Sequence, residues 1–326
     1  MSGERTGAEA GDTAGGVAGQ AATVPGAGPA DVDPAVAEVV GQIALRPQAL
    51  LLIVFGDYLA EPGTLVAASS VVEVLDAVGV GEAAARATLS RMVRRGLLQR
   101  AVHGRRAYFG LTDHGRRTTL GGRSRVQEGQ LVAGQWDGSW TVVGFSMPQA
   151  WQRQRHDLRA RLQWAGFGMI QSGLWVCPRQ VDVIATLDGL GLDEHVRVFD
   201  AVPAAPTEAA RLVAEAYDLP ELARRYTGFV DRWSPFARAA APPGRGGEVD
   251  AFSRRLVLAA DWLQMVRVDP RLPLAFLPRD WPAVAADSLY RNLDATLEAA
   301  AERQAAGRLD LLGGDRPGRS RVTTRG

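Results

Sequence analysis

The sequence predicts a multidomain α+β protein with an N-terminal winged helix, a central ferredoxin-like domain and a C-terminal helical domain. Three observations on the 326-residue chain predict this order. A glycine turn between two helices precedes a short basic hairpin, strand and helix patterns then follow as β-α-β-β-α-β, and long helical spacing fills the rest. With 46% apolar residues, the chain has enough material for two or three packed domains.

Composition and pattern divide the chain into five predicted segments. The first 34 residues contain almost no large apolar side chain, so we expect a disordered tail at the N-terminus. The basic, glycine-containing C-terminus is expected to be disordered as well. The predicted segments are a tail at residues 1–40, a winged helix at 41–125, a ferredoxin-like domain at 126–203, a helical domain at 204–307 and a second tail at 308–326.

The first domain is predicted to contain three helices and two short strands. Residues Gly79 to Gly81 break the chain between the second and third helices, and Gly96 ends the third. Helix, glycine turn and helix are the outline of a helix-turn-helix motif. The predicted helices cover residues 47–59, 69–78 and 82–95, and the predicted strands cover residues 97–102 and 107–111.

The third predicted helix has two different faces. Ala85, Leu89, Met92 and Val93 fall on one arc of a helical wheel, which we expect to face the core. Small and cationic residues occupy the other side, where Arg can contact a guanine edge or clamp a phosphate. An amphipathic surface helix without a ligand remains the alternative. The candidate DNA-binding residues of this segment are Arg86, Ala87, Ser90, Arg91, Arg94 and Arg95.

The hairpin after this helix favours DNA binding. Its predicted tip runs from His103 to Arg106 and carries one glycine and two arginines. A basic hairpin directly after a recognition helix is the wing of a winged helix, which lies along the DNA backbone or the minor groove. His103, Arg105 and Arg106 are therefore further candidate DNA-binding residues.

Positive charge is concentrated in this domain. Residues 86–125 contain eleven Arg and one acid, a local formal charge of +10, although the whole chain carries only +1. Such segregation predicts a polyanionic partner, and operator DNA is the partner that the helix pattern favours. A solvated basic face on an Arg-rich protein, or a scaffold that binds RNA nonspecifically, are the alternatives.

Several chemistries are excluded by residue types that the chain lacks. All 37 basic residues are Arg, so Lys-dependent phosphate loops and Schiff bases are impossible. Cys177 is the only cysteine, and the four His lack metal-ligand spacing. No apolar run is long enough to cross a membrane, and no signal peptide is evident. We expect a cytoplasmic protein with no enzymatic activity, cofactor or metal.

The second domain is predicted from strands and helices in ferredoxin-like order. The strands are expected at residues 140–146, 167–170, 174–176 and 194–200, and the helices at 149–164 and 181–190. Helical spacing then predicts helices within residues 209–233, 249–268 and 284–301. We expect Trp262 and Trp281 to pack in a core, although an Arg-lined aromatic cleft that binds an effector is the alternative. The candidate effector-binding residues are Arg153, Arg155 and Arg159.

The chain resembles the PaaX-type repressors of phenylacetic acid degradation over residues 45–300. The matching motifs, in chain order, are Arg86-Ala87-Thr88-Leu89-Ser90-Arg91-Met92, Gly104-Arg105-Arg106-Ala107-Tyr108, Trp136-Asp137-Gly138-Ser139-Trp140, Gly173-Leu174-Trp175-Val176-Cys177-Pro178-Arg179, Asp269-Pro270-Arg271-Leu272-Pro273 and Asp280-Trp281-Pro282. The motifs are collinear with those of the family.

The resemblance implies a winged helix, a middle domain similar to the CRISPR nuclease subunit Cas2, and a helical C-terminal domain. It also implies a homodimeric repressor that an aryl-acyl-CoA such as phenylacetyl-CoA releases from DNA. The main alternative is a metal-dependent nuclease or hydrolase that uses the ferredoxin-like domain. Here Ser146 stands where the family often has Asp, and the absence of that carboxylate disfavours Mg²⁺ binding. The operator, the effector, its pocket, the dimer interface and the direction of regulation are left open.

Overall fold

A computed structural model describes residues 34–127, 136–239 and 250–312 of the chain. The predicted tail up to residue 33, the Pro- and Gly-rich segment 240–247 and the tail after residue 312 lie outside the described residues. None of the described helices is long and apolar enough to span a membrane.

The N-terminal domain has the order of elements predicted for a winged helix. Gly79 and Gly96 end helices with φ of +82° and +70°, values in the left-handed region that favours glycine. The domain contains α1 (Pro34–Gln42), α2 (Pro47–Tyr58), β1 (Leu65–Ala67), α3 (Ala68–Asp76), α4 (Glu82–Arg94), β2 (Leu98–His103), β3 (Arg106–Leu111) and α5 (Asp113–Gln127).

Both predicted tails are too long by several residues. Pro34–Gln42 form α1, because Val36 and Val39 are buried in the core. At the other end Leu309 is buried, and Leu311–Leu312 form β8, which pairs antiparallel with β1. The predictions of disorder for residues 34–40 and 308–312 are therefore wrong, since apolar side chains anchor both segments.

The central domain confirms the ferredoxin-like prediction. Its four-stranded antiparallel sheet has the order β5-β6-β4-β7, with two helices inserted in the predicted places. The elements are β4 (Trp140–Phe145), α6 (Gln152–Trp164), β5 (Gly168–Gln171), β6 (Leu174–Cys177), α7 (Val183–Leu187) and β7 (Val196–Ala201). Both faces of the sheet are covered by apolar clusters, one including Leu158 and Leu162 of α6.

The C-terminal domain is helical, as predicted, but the helical spacing over residues 209–233 belongs to two helices. Tyr217 interrupts them in extended conformation, and its hydroxyl donates to the carbonyl oxygens of Gly166 (3.0 Å) and Val176 (2.9 Å). The Asp218 carboxylate then accepts a hydrogen bond from the Glu221 amide at the start of the next helix. The helices are α8 (Ala209–Ala216), α9 (Leu219–Ala239), α10 (Ala251–Val268) and α11 (Pro282–Arg308).

One continuous hydrophobic core joins the N-terminal and C-terminal domains. Helix α10 packs against α2, where the rings of Tyr58 and Phe252 meet edge to face at 4.9 Å. Trp262 and Trp281 are buried in this core, as expected from the core-packing interpretation of the sequence. A change in the C-terminal helices can therefore reach the N-terminal domain by direct packing.

Candidate nucleic-acid interface

Helix α4 separates apolar from cationic side chains. Ala85, Leu89 and Met92 are fully buried, and Thr88 is buried beside them with its hydroxyl donating to the carbonyl oxygen of Ala84. Because these residues share one side of the helix, the opposite side faces solvent. The structure places all six candidate residues of this segment at the surface: Arg86, Ala87, Ser90, Arg91, Arg94 and Arg95.

The arginines of this face differ in how they are held. Arg86 pairs with Glu82 one turn earlier at 2.6 Å, and Arg91 donates to the Thr88 hydroxyl at 2.6 Å. Arg95, just past the end of the helix, donates to the side-chain oxygen of Gln48 in α2. Arg94 makes no ion pair with any described residue. Arg94 and Arg91 are thus cations that can meet an anionic partner without breaking an ion pair.

The hairpin tip is exposed and cationic. Gly104 and Arg105 form a two-residue turn between β2 and β3, with Gly104 at φ +61°. His103 and Arg105 are exposed, and the His103 ring lies 6.4 Å from the ring of Tyr108, edge to face. The structure therefore brings the candidate hairpin residues together at one tip.

Asp310 is a residue near this tip that the sequence did not indicate. Its carboxylate pairs with Arg106 at 2.9 Å, and both side chains are substantially exposed. The pair forms because β8 extends the sheet that contains the hairpin, in the order β2-β3-β1-β8. Arg106 therefore has an intramolecular partner that competes with phosphate.

The three candidate effector residues lie on α6 and have different surroundings. Arg153 is exposed and lies 3.9 Å from Asp157, whereas Arg155 donates to the carbonyl oxygens of Met147 and Pro148. The Nε of Arg159 is buried without a partner among the described residues. Each of the three guanidinium groups therefore has a different environment.

The residues that a catalytic interpretation would use are not assembled either. Ser146 follows β4, and its carbonyl oxygen lies 3.2 Å from Nδ1 of His195. Burial raises the pKa of the Cys177 thiol to about 11, so this thiol is neutral near pH 7. The described residues contain no cluster of three or more His, Cys, Asp or Glu side chains able to hold a metal ion.

Comparisons with known proteins match most of the chain. Family models described as "PaaX-like protein", "PaaX protein central Cas2-like domain" and "PaaX-like protein C-terminal domain" match residues 46–115, 133–213 and 217–307. The transcriptional repressor PaaX of Escherichia coli (strain K12) is 28% identical over 274 residues, which cover 80% of this chain and 84% of that protein.

A solved structure shares the fold. The uncharacterized protein Rv0674 from Mycobacterium tuberculosis superposes with a TM-score of 0.50 at 23% identity, covering 82% of this chain and 98% of the other. The three family models follow one another in the same order as the three domains.

Proposed function

This chain belongs to the PaaX family of transcriptional regulators, and we propose that it is a repressor that binds operator DNA through α4 and the β2–β3 hairpin. The observation that supports this proposal most is the division of α4 into a buried apolar face and an exposed cationic face. Helices of this kind enter the major groove, which is wide enough for an α-helix.

The side chains on the exposed face suit a groove floor. Ala83 and Ala87 are small, so the helix backbone can approach the bases closely, and Ser90 supplies a hydroxyl between them and the arginines. Arg91 and Arg94 then reach base edges or flanking phosphates, while Arg105 at the hairpin tip meets the DNA backbone. The alternative, an amphipathic surface helix that binds no ligand, does not explain why a cationic hairpin follows the helix.

The proposed regulatory target is an operon for aromatic-acid catabolism, such as phenylacetate degradation, with an aryl-acyl-CoA as the releasing effector. This part of the proposal rests on the resemblance to PaaX-type repressors. We also propose a homodimer, because one recognition helix reads too few base pairs for genomic specificity, whereas two spaced helices read a palindrome. Sedimentation of the full chain at micromolar concentration tests the dimer, and a monomer would contradict it.

Fluorescence anisotropy tests the DNA-binding proposal. The full chain is titrated into a labelled duplex from its own upstream region and into a scrambled duplex of equal length, at several salt concentrations. We expect at least a thousandfold preference for the upstream duplex. We also expect release by phenylacetyl-CoA but not by CoA alone. Equal affinities for both duplexes would contradict a sequence-specific regulator.

A further inference from the structure

A cavity of about 690 Å³ lies where the three domains meet. Helices α2 and α5 of the N-terminal domain form one side, and α10 and α11 of the C-terminal domain form another. Trp164, at the end of α6, contributes from the central domain. The volume falls in the range of cavities that bind small molecules.

The interior of this junction cavity is largely apolar and contains aromatic rings. Leu52, Ile53 and Leu263 line it together with the ring of Tyr290. Trp262 stacks on Tyr290, with ring centroids 4.7 Å apart and planes at 7°, which holds the tyrosine ring in one orientation. Burial raises the pKa of Tyr290, so its hydroxyl remains neutral. Such walls accept an aromatic group.

Charged side chains of both signs also line the cavity: four arginines and the three acids Asp57, Asp294 and Glu298. Arg255 pairs with Asp294 at 2.7 Å and donates to the Tyr58 hydroxyl, and Arg291 pairs with Asp287, which does not line the cavity. In contrast, two lining arginines make no ion pair within the described part of the chain; they are Arg117 and Arg267.

Arg267 is an exposed cation with a second arginine nearby. Partial burial and the positive charge of Arg46 lower the pKa of Arg267, and an anion beside it would offset the repulsion between the two guanidinium groups. Arg117 lies on α5, so two separate helices of the cavity present guanidinium groups. Guanidinium groups of this kind bind phosphate and carboxylate oxygens.

We propose that the junction cavity is the effector site and binds a ligand with an aromatic body and an anionic group. The effector role rests on the proposed function, whereas the binding chemistry rests on the cavity itself. The site replaces the α6 arginines as the candidate effector residues.

The position of the cavity connects it to the DNA-binding elements. Helix α2 packs against α4, and α5 follows directly after β3 of the hairpin. Helices α2 and α5 meet closely, since a Cβ at Gly56 would lie 3.3 Å from the Cβ of Thr119. A ligand held between these helices and α10 and α11 can thus favour one orientation of the N-terminal domain over another.

Binding of 8-anilinonaphthalene-1-sulfonate, an aromatic anion with environment-sensitive fluorescence, tests the binding chemistry. Arg267→Ala removes a cation, and Ala259→Phe fills part of the cavity. The controls are Arg303→Ala and Ala285→Phe, which make the same changes at exposed positions of α11 outside the cavity. We expect at least tenfold weaker binding in both cavity variants and wild-type binding in both controls, with all melting temperatures monitored.

Phenylacetyl-CoA tests the effector role in the same samples. We expect it to displace the fluorescent probe competitively and to lose affinity in both cavity variants. No probe binding, or equal probe affinity in Arg267→Ala and wild type, would overturn the cavity as a binding site. If phenylacetyl-CoA releases the operator but neither displaces the probe nor responds to the variants, the effector site is elsewhere while the proposed repressor function stands. Absence of operator binding contradicts the function without changing the probe result.

Discussion

At the residue scale, the arginines of α4 are not equivalent. Arg86 would have to leave Glu82 to meet a phosphate, and Arg91 is held by a hydrogen bond to Thr88. Arg94 has no ion pair with a described residue and lies in the last turn, at the exposed end of the helix. Because no other interaction must be broken, Arg94 should contribute most per side chain to DNA binding.

We therefore predict that Arg94→Ala weakens operator binding by about 1–3 kcal/mol, with Arg91→Ala in the same range. Loss of a bidentate base contact relaxes discrimination at one base pair. Loss of a phosphate contact instead reduces the slope of log binding constant against log salt concentration by about one unit. Arg94→Lys separates the two cases, since lysine keeps the charge but not the planar fork. Anisotropy with Arg303→Ala as control measures the effect. Wild-type affinity in folded Arg94→Ala and Arg91→Ala would remove α4 from the interface.

A second residue-scale prediction concerns the buried ion pair of the C-terminal domain. The carboxylate of Asp261 is 2% exposed and accepts hydrogen bonds from Arg232 and from Nε1 of Trp233. Asp261→Asn leaves the Arg232 charge without its partner, so we expect a loss of about 3–5 kcal/mol in the free energy of unfolding.

Urea unfolding measures this loss, and Glu215→Gln is the matched control. Glu215 pairs with Arg211 at 2.9 Å on the surface of α8, where such pairs contribute less than about 1 kcal/mol. An equal loss of unfolding free energy in the two variants would show that the buried Asp261–Arg232 pair contributes no more to stability than a surface pair.

At the element scale, β8 connects the C-terminus to the DNA-binding sheet. Leu309 is buried, the Ala67 amide donates to the Asp310 carbonyl oxygen, and the Asp310 amide donates to the Ser70 hydroxyl. Truncation after Arg308 removes these contacts, so we predict a loss of about 2–4 kcal/mol in the free energy of unfolding. Truncation after Leu312 keeps them and is the control. Thermal and urea unfolding of both proteins measure the difference, and unchanged stability after truncation at Arg308 would mean that β8 contributes nothing.

The elements that the sequence predicts are those with a local signal. Glycine turns mark the ends of α3 and α4, and two short β-like runs on either side of a glycine-containing tip mark β2 and β3. Strands β1 and β8 carry no such signal, since strands of three and two residues are too short to show a period. Helix α5 is not predictable either, because its glycines disfavour a helix. Gly115 is needed for packing, since a Cβ there would lie 2.0 Å from the Leu97 carbonyl oxygen.

The two candidate sites also differ in whether a local sequence pattern indicates them. The exposed face of α4 was predictable because one helical period determines it. The junction cavity was not, because its walls come from helices as distant as α2 and α11, and no local pattern indicates which faces of them converge. The prediction of an effector site at the α6 arginines rests on charge alone, and charge does not indicate whether side chains converge in space.

At the scale of the whole molecule, the three domains are physically linked. The N-terminal and C-terminal domains share one core. Arg179 of the central domain donates to the carbonyl oxygens of Pro270 (2.8 Å) and Ala165 (2.6 Å), which ties that domain to the segment between α10 and α11. Because packed cores deform little, a ligand at their junction acts by selecting among arrangements of whole domains.

The last prediction follows from this linkage. If an aryl-acyl-CoA releases the operator a hundredfold, it must bind the DNA-incompetent arrangement more tightly by about 2.7 kcal/mol, which is within the usual range of allosteric coupling. Thermodynamic reciprocity then requires the operator to weaken phenylacetyl-CoA binding by the same factor. Calorimetric titration of phenylacetyl-CoA into free and operator-bound protein measures that factor, with a scrambled duplex as control. Equal affinities in the two titrations would exclude phenylacetyl-CoA as the releasing effector while leaving DNA binding by α4 untouched, because the two interactions would then be independent.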